Sequence, residues 1–241
     1  MAGGGWKVAL GTGILPVAMA GLAACSGGGG SGHPTPTRSA SASVAKAAAV
    51  EGITPAMLKN ALLTRVNGVA AAAPVSSGSY ASVAQASQGK QGGAQVTPKT
   101  CTVAATQGFN PTVLAGAPAA AVTFRVASNG VSEILVVSSD KSAATALAAQ
   151  IPAECTHYKA KVGGKTLTYG ITEQTVTGVG KAAKALNVRA AGGGASDNLW
   201  SLIYRGAGFV GTVTVVGPNA SEEAVQELGQ QAYAFAAKTL A

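Results

Sequence analysis

Residues 120–139, "AAVTFRVASNGVSEILVVSS", place two β-branched runs on either side of Ser128-Asn129-Gly130. Asn-Gly tolerates positive φ at both positions, as a two-residue hairpin turn demands, so the stretch predicts a hairpin. Val122, Phe124 and Val126 alternate with Thr123 and Arg125, so the first strand buries one face. Ile134 to Val137 is apolar throughout, the pattern of a central strand covered on both sides. Two more hairpins follow. "THYKAKVGGKTLTYGITEQTV" turns at Gly163-Gly164, and "LWSLIYRGAGFVGTVTVVG" sets Trp200, Leu202 and Tyr204 on one face. "KALNVRAA" reads as a further strand and "GGGASDN" as a loop. Hairpins in succession make an antiparallel sheet.

Helical patterns flank and interrupt these strands. In "EGITPAMLKNALLTR", Thr54 is a cap and Pro55 suits the first turn, predicting a helix over 55–63 with Met57, Leu58, Ala61 and Leu62 on its apolar face. "VNGVAAAAP" reads as a strand. The polar, glycine-rich run from Ser76 to Cys101 reads as a mobile segment with one helical turn near Tyr80 to Ala86, and "TCTVAATQG" as a short helix carrying Cys101. Asp140 caps "KSAATALAAQI", which Pro152 stops. The closing segment is helical. Asn219 and Glu222 form a capping-box start, Val225, Leu228, Ala232 and Phe235 an apolar stripe, and Glu222, Glu223 and Lys238 complement the dipole. The expected fold class is α+β: an antiparallel sheet of consecutive hairpins with helices packed on one face, in a single domain over residues 50–241.

The first segment is of another kind. Residues 1–24 hold one charge, Lys7, before an apolar run interrupted by Gly11, Gly13 and Pro16, the layout of a signal peptide and not of a spanning helix. It ends in Leu22-Ala23-Ala24-Cys25, which resembles the bacterial lipobox. The resemblance implies a diacylglycerol thioether, with palmitate-type chains, on Cys25. That lipid would anchor the chain on the extracytoplasmic face of the cell membrane. Residues 25–49 are Gly, Ser, Pro and Ala-rich, with too little apolar surface to offset ordering entropy, and read as a disordered tether.

Cys101 and Cys155 remain. In an oxidising compartment such a pair forms a disulfide, closing a loop worth ~4 kcal/mol of chain entropy. Two buried free thiols are the alternative. A metal is disfavoured, since zinc takes about four Cys or His ligands and only His157 lies near.

The chain carries a net charge of +8, although only 11% of its residues are charged. A basic surface favours anionic partners, and export leaves lipid headgroups and wall polymers, not nucleic acid. Lys159, Lys161, Lys165, Lys181, Lys184 and Arg189 stand against Glu173 alone, and on paired strands they would gather on one exposed face. The alternative is a solvated edge that blocks strand addition. Trp200 joins the candidate ligand residues Lys159, Lys161, Lys165, Lys184 and Arg189 if it is exposed beside the glycine loop.

No catalytic set emerges: G-x-S-x-G is absent, His157 is the one histidine of the domain, no phosphate-loop pattern occurs, and no cofactor is implied. The leading expectation is therefore a non-enzymatic lipoprotein that binds or senses an anionic envelope ligand. A protein-interaction subunit of an envelope complex is second, and a hydrolase last.

"VTPKTC", "ATALAAQIPAEC" and "EEAVQELGQQAYAFAAKTLA" resemble small actinobacterial lipoproteins and the extracellular sensor domain of mycobacterial receptor Ser/Thr kinases. The family implies ligand sensing or envelope interaction. Ile151 to Glu154 depart from its pattern, in which a Trp often precedes the second cysteine.

Overall fold

The computed structural model describes residues 52–88, 95–101, 108–162, 164–192 and 195–241. The expected signal segment, Cys25 and the expected tether lie outside these residues, as does the centre of the helix expected around Cys101.

Arg65–Val66 (β1) and Val69–Ala70 (β2) form a small ribbon. The other strands are Ser76–Ser79 (β3), Gln95–Thr97 (β4), Pro118–Val126 (β5), Asn129–Val137 (β6), His157–Val162 (β7), Lys165–Val176 (β8), Ala182–Gly192 (β9), Ala195–Arg205 (β10) and Phe209–Val216 (β11). They make one antiparallel sheet in the order β3-β5-β6-β11-β10-β9-β8-β7-β4. Helices are Pro55–Ala61 (α1), Tyr80–Gln88 (α2), Asp140–Leu147 (α3) and Glu222–Thr239 (α4). The fold is α+β, as expected.

Opposed residues of paired strands point to the same side, so register sorts the core. On the first face Val122, Glu133, Val213, Leu202 and Ala185 run in one row across β5, β6, β11, β10 and β9. Leu58 and Ala61 of α1, Leu62 just after it, and Val225, Leu228, Ala232 and Ala236 of α4 cover this row and its neighbours. At Gly229 the helix lies so close to the sheet that a Cβ would collide with Leu202. On the second face Ala121, Val136, Ile203, Val210 and Leu186 pack under α2 and α3 and against Phe109 and Leu114. The helices thus divide between both faces, where one face was expected. The cause is the burial of β6 and β11 on both sides where Leu135, Val136 and Val137 pair with Gly211, Val210 and Phe209.

Several local expectations are corrected. Val126 pairs with Asn129, so the turn is Ala127-Ser128, with Ala127 at φ +52. Asn129 and Gly130 belong to β6 because β11 extends to Val216 opposite Gly130. The Asn129 carboxamide also accepts from Asn219 N at 3.2 Å and so pins the entry to α4. The Asn-Gly turn with two positive φ angles occurs instead at Asn67 (+48) and Gly68 (+78). The caps are Ser139 and Ser221, each accepting from the backbone three residues on, in place of Asp140 and Asn219. Phe235 is 37% exposed, and Ala236 takes its place in the α4 stripe. The polar run expected to be mobile supplies both outer strands, β3 and β4, which suit short polar sequence. The expected loop "GGGASDN" is largely paired, with Ala195 opposite Gly192. Thr54, by contrast, caps α1 as expected, accepting from Met57 N at 3.2 Å.

Glu133 is a carboxyl at 1% exposure in the middle of this core. Its Oε2 accepts from Leu63 N at 2.8 Å, while Oε1 and the hydroxyl of Tyr204, both buried, have no hydrogen-bond partner among the described residues. Burial pushes the Glu133 pKa up to about 7, against the opposing pull of the Leu63 amide. Between the ordinary carboxyl range and that value the folded chain keeps a proton that the unfolded chain releases. Stability therefore falls as pH rises through this window, and the full loss is present above it. Glu133→Gln should stabilise the protein by up to ~3 kcal/mol at pH 8, and the gain should vanish below the ordinary carboxyl range. Thermal unfolding at pH 8 and pH 4 checks this; an equal gain at both would contradict it.

Candidate anion-binding face

α1 and α4 cover the first face from β5 across β6, β11 and β10 as far as Ala183 and Ala185 of β9 and Val176 of β8. On β4, on β7, at residues 166–172 of β8 and at residues 189–191 of β9 the same face is mostly polar and exposed. Its residues follow from the register. Arg189, Gly170 and His157 lie in one row across β9, β8 and β7. Thr168, Lys159 and Thr97 form the next row, and Thr166, Lys161 and Gln95 the one after. His157, Lys159, Lys161 and Arg189 are all exposed. No first-face position of these four strands holds a carboxylate.

The start of β7 is firmly placed. The Cys101–Cys155 disulfide, with Cα atoms 5.2 Å apart, ties the chain leaving β4 to the 3-10 turn Ala153–Cys155 that enters β7. Both cysteines are buried. Thr156 then donates its hydroxyl to Ala153 O at 2.8 Å, and the same oxygen lies 3.3 Å from His157 Nδ1. A hydroxyl has one proton, so the network assigns Nδ1 as the donor. The ring leans over Gly170, where an added Cβ would stand 3.9 Å from Nε2. Beneath this face, Tyr158 and Tyr169 stack at 4.8 Å on the other side of the same strands.

A polar chain marks the boundary with the helix-covered half. Asn187 Nδ2 donates to Asn198 Oδ1 and Asn198 Nδ2 to Ala220 O, both at 2.6 Å. Trp200 sits opposite Asn187, half-buried and packed on the apolar core. It is thus core-packed and does not stand exposed beside the glycine loop.

The six basic residues do not all gather. Lys159, Lys161 and Arg189 share the open face. Lys184 is on the second face at 8% exposure, donating to Ala149 O at 2.6 Å and to Glu173 Oε1 at 3.0 Å. Lys165 falls on the second face by register, opposite Val162. Lys181 lies before β9 and pairs with Asp140 at 2.8 Å on the surface; its hydrogen bond to Asp140 lowers that carboxyl's pKa. Alternation alone separates Lys184 from Arg189, five positions apart on one strand and hence on opposite faces. Sequence reasoning missed Gly170, Asn187 and Asn198. Only the pairing of three strands shows that Gly170 separates His157 from Arg189.

Among the described residues, no helix is long and apolar enough to cross a membrane. No family model and no curated protein matches the chain. Solved structures similar to the chain include two of mycobacterial origin. The extracellular domain of PknH from Mycobacterium tuberculosis aligns with a TM-score of 0.52 at 12% identity, covering 78% of this chain and 96% of that one. An uncharacterised protein from Mycobacterium smegmatis aligns with a TM-score of 0.37 at 15% identity, covering 60% of this chain and 77% of that one. The resemblance to the extracellular domain of a mycobacterial receptor kinase holds at the level of the fold.

Structural and surface lysines should separate in stability. Lys184→Ala strands Glu173 and the Ala149 carbonyl and should cost about 2 kcal/mol. The double change Lys159→Ala, Lys161→Ala should stay within ~0.5 kcal/mol of the parent. Chemical denaturation of the two variants checks both.

Proposed function

We propose that this chain is a non-enzymatic, extracytoplasmic domain that binds an anionic ligand of the cell envelope across the open half of its first face. The observation that carries the reading is the exposed set His157, Lys159, Lys161 and Arg189 on a polar surface with no carboxylate among its strand positions. Cation side chains projecting into water without a partner of opposite sign attract polyanions and repel basic surfaces. The Cys101–Cys155 disulfide favours an oxidising compartment. The fold shared with an extracellular domain agrees with that placement. The lipobox-like Leu22-Ala23-Ala24-Cys25 supports attachment through lipid on Cys25. No first-face strand position beside His157 holds a carboxylate, so the site offers charge recognition in place of proton transfer.

Binding of soluble poly(glycerol phosphate) to the full chain in neutral detergent tests the reading. Affinity should fall steeply between low and physiological salt, as expected for exposed charges. It should be lost in the triple variant Lys159→Ala, Lys161→Ala, Arg189→Ala. Salt-independent binding, or binding that survives the triple change, would overturn it. Separately, Cys25→Ser should abolish labelling by radioactive palmitate and shift the protein from the membrane to the soluble fraction; unchanged labelling would rule out Cys25 as the lipid site.

A further inference from the structure

The basic residues on the open face do not form a plane. His157, Lys159 and Lys161 occupy every second position of β7, so their Cβ atoms follow one line at a pitch of about 6.6 Å. Uncharged side chains flank the line: Thr97 and Gln95 on β4, Thr168 and Thr166 on β8. A planar anionic surface would meet the long lysines first and leave these flanks without a role. A linear chain laid along β7 would meet the lysines and the imidazole from above and the hydroxyls and amide from either side. The pitch is comparable to the reach of a three-carbon unit between successive phosphates.

One cation stands off the line. Arg189 is two strands away in the row of His157, about 10 Å across the sheet, with Gly170 between them. Among the described residues, chain neighbours aside, His157 is the side chain within 4 Å of a Cβ at Gly170. Gly170 brings no side chain of its own to this row, and on either side of it stand His157 and Arg189, whose guanidinium fork suits two phosphate oxygens.

We infer that the ligand is a linear phosphodiester polymer seated along β7, with one phosphate over Gly170 between His157 and Arg189. This rests on the reading of the open face as an anion-binding surface and specifies the shape of what it binds.

Gly170 provides a clean variant. It does not need positive φ, and an added Cβ would make only ordinary contacts with the His157 ring at 3.8 and 3.9 Å. Gly170→Val should therefore fold with an unchanged or higher Tm, because a β-branched residue suits a strand. Its methyl groups would fill the phosphate position.

The experiment measures binding of poly(glycerol phosphate) and of the monomeric diester glycerophosphoglycerol to the full chain in neutral detergent. The monomer reproduces the headgroup of an anionic lipid. The polymer should bind far more tightly per phosphate than the monomer. Lys159→Ala, Lys161→Ala and Arg189→Ala should each weaken polymer binding about fivefold, the equivalent of ~1 kcal/mol per cation. Gly170→Val should weaken it similarly. Lys238→Ala, an equal charge change on α4, should leave it unchanged. Equal binding of monomer and polymer per phosphate, or parental affinity in Gly170→Val, would overturn the linear track while leaving the anion face standing. Absence of binding by both probes would overturn the face itself.

Discussion

The pairing of β6 with β11 holds the two halves of the molecule together. It joins Gly130 through Val137 to Phe209 through Val216 in unbroken antiparallel register. β5 and β6 are otherwise a single hairpin, and β7 to β11 a meander complete in itself. Their union brings Leu135, Val137, Val213 and Val215 to one face and Val136 and Val210 to the other. Each face then needs a cover, and among the described residues four helices from distant parts of the chain supply it. Full burial of a side chain such as Leu202 contributes roughly 1.5–3 kcal/mol, so the rows crossing this junction carry much of the folding free energy.

The same junction leaves the far end of the sheet half-covered. α4 follows directly from β11 and therefore lies over β11 and β10. α1 fills the space beside it against β5. No helix among the described residues extends over β7 and residues 166–172 of β8 on that face, and the sequence there alternates accordingly. Tyr158, Ala160 and Leu167 turn inward to the second face; Lys159, Lys161 and Thr168 turn outward. The disulfide and the Thr156 hydrogen bonds fix the strand end at which His157 stands, which gives an exposed face a defined geometry.

Polar groups inside this fold have two different fates. Lys184 is buried yet satisfied by Glu173 and a carbonyl, an arrangement that specifies how α3's exit meets β9. Glu133 is buried and only half satisfied, with Tyr204 beside it in the same state. Its charge also raises the Tyr204 pKa, second to burial itself. The first arrangement adds specificity at small net cost; the second makes the core sensitive to pH.

Alternation and turn chemistry were legible in the chain: the strand faces of β5 and β7, the Thr54 cap, the α+β class and the pairing of Cys101 with Cys155. These depend on neighbours in sequence or, for the cysteines, on there being one available partner. The position of a turn was less legible, because Asn129 serves β6 and a residue ninety positions away better than it serves a loop. The role of the polar segment from Ser76 to Thr97 was not legible at all, since edge strands carry no apolar signature and are defined by what they pair with. The candidate site divides in the same way. That basic residues would dominate residues 159–189 follows from the sequence alone. Which of them share a face is decided by register across β4, β7, β8 and β9, since a side chain's direction alternates within one strand but its neighbours belong to the next.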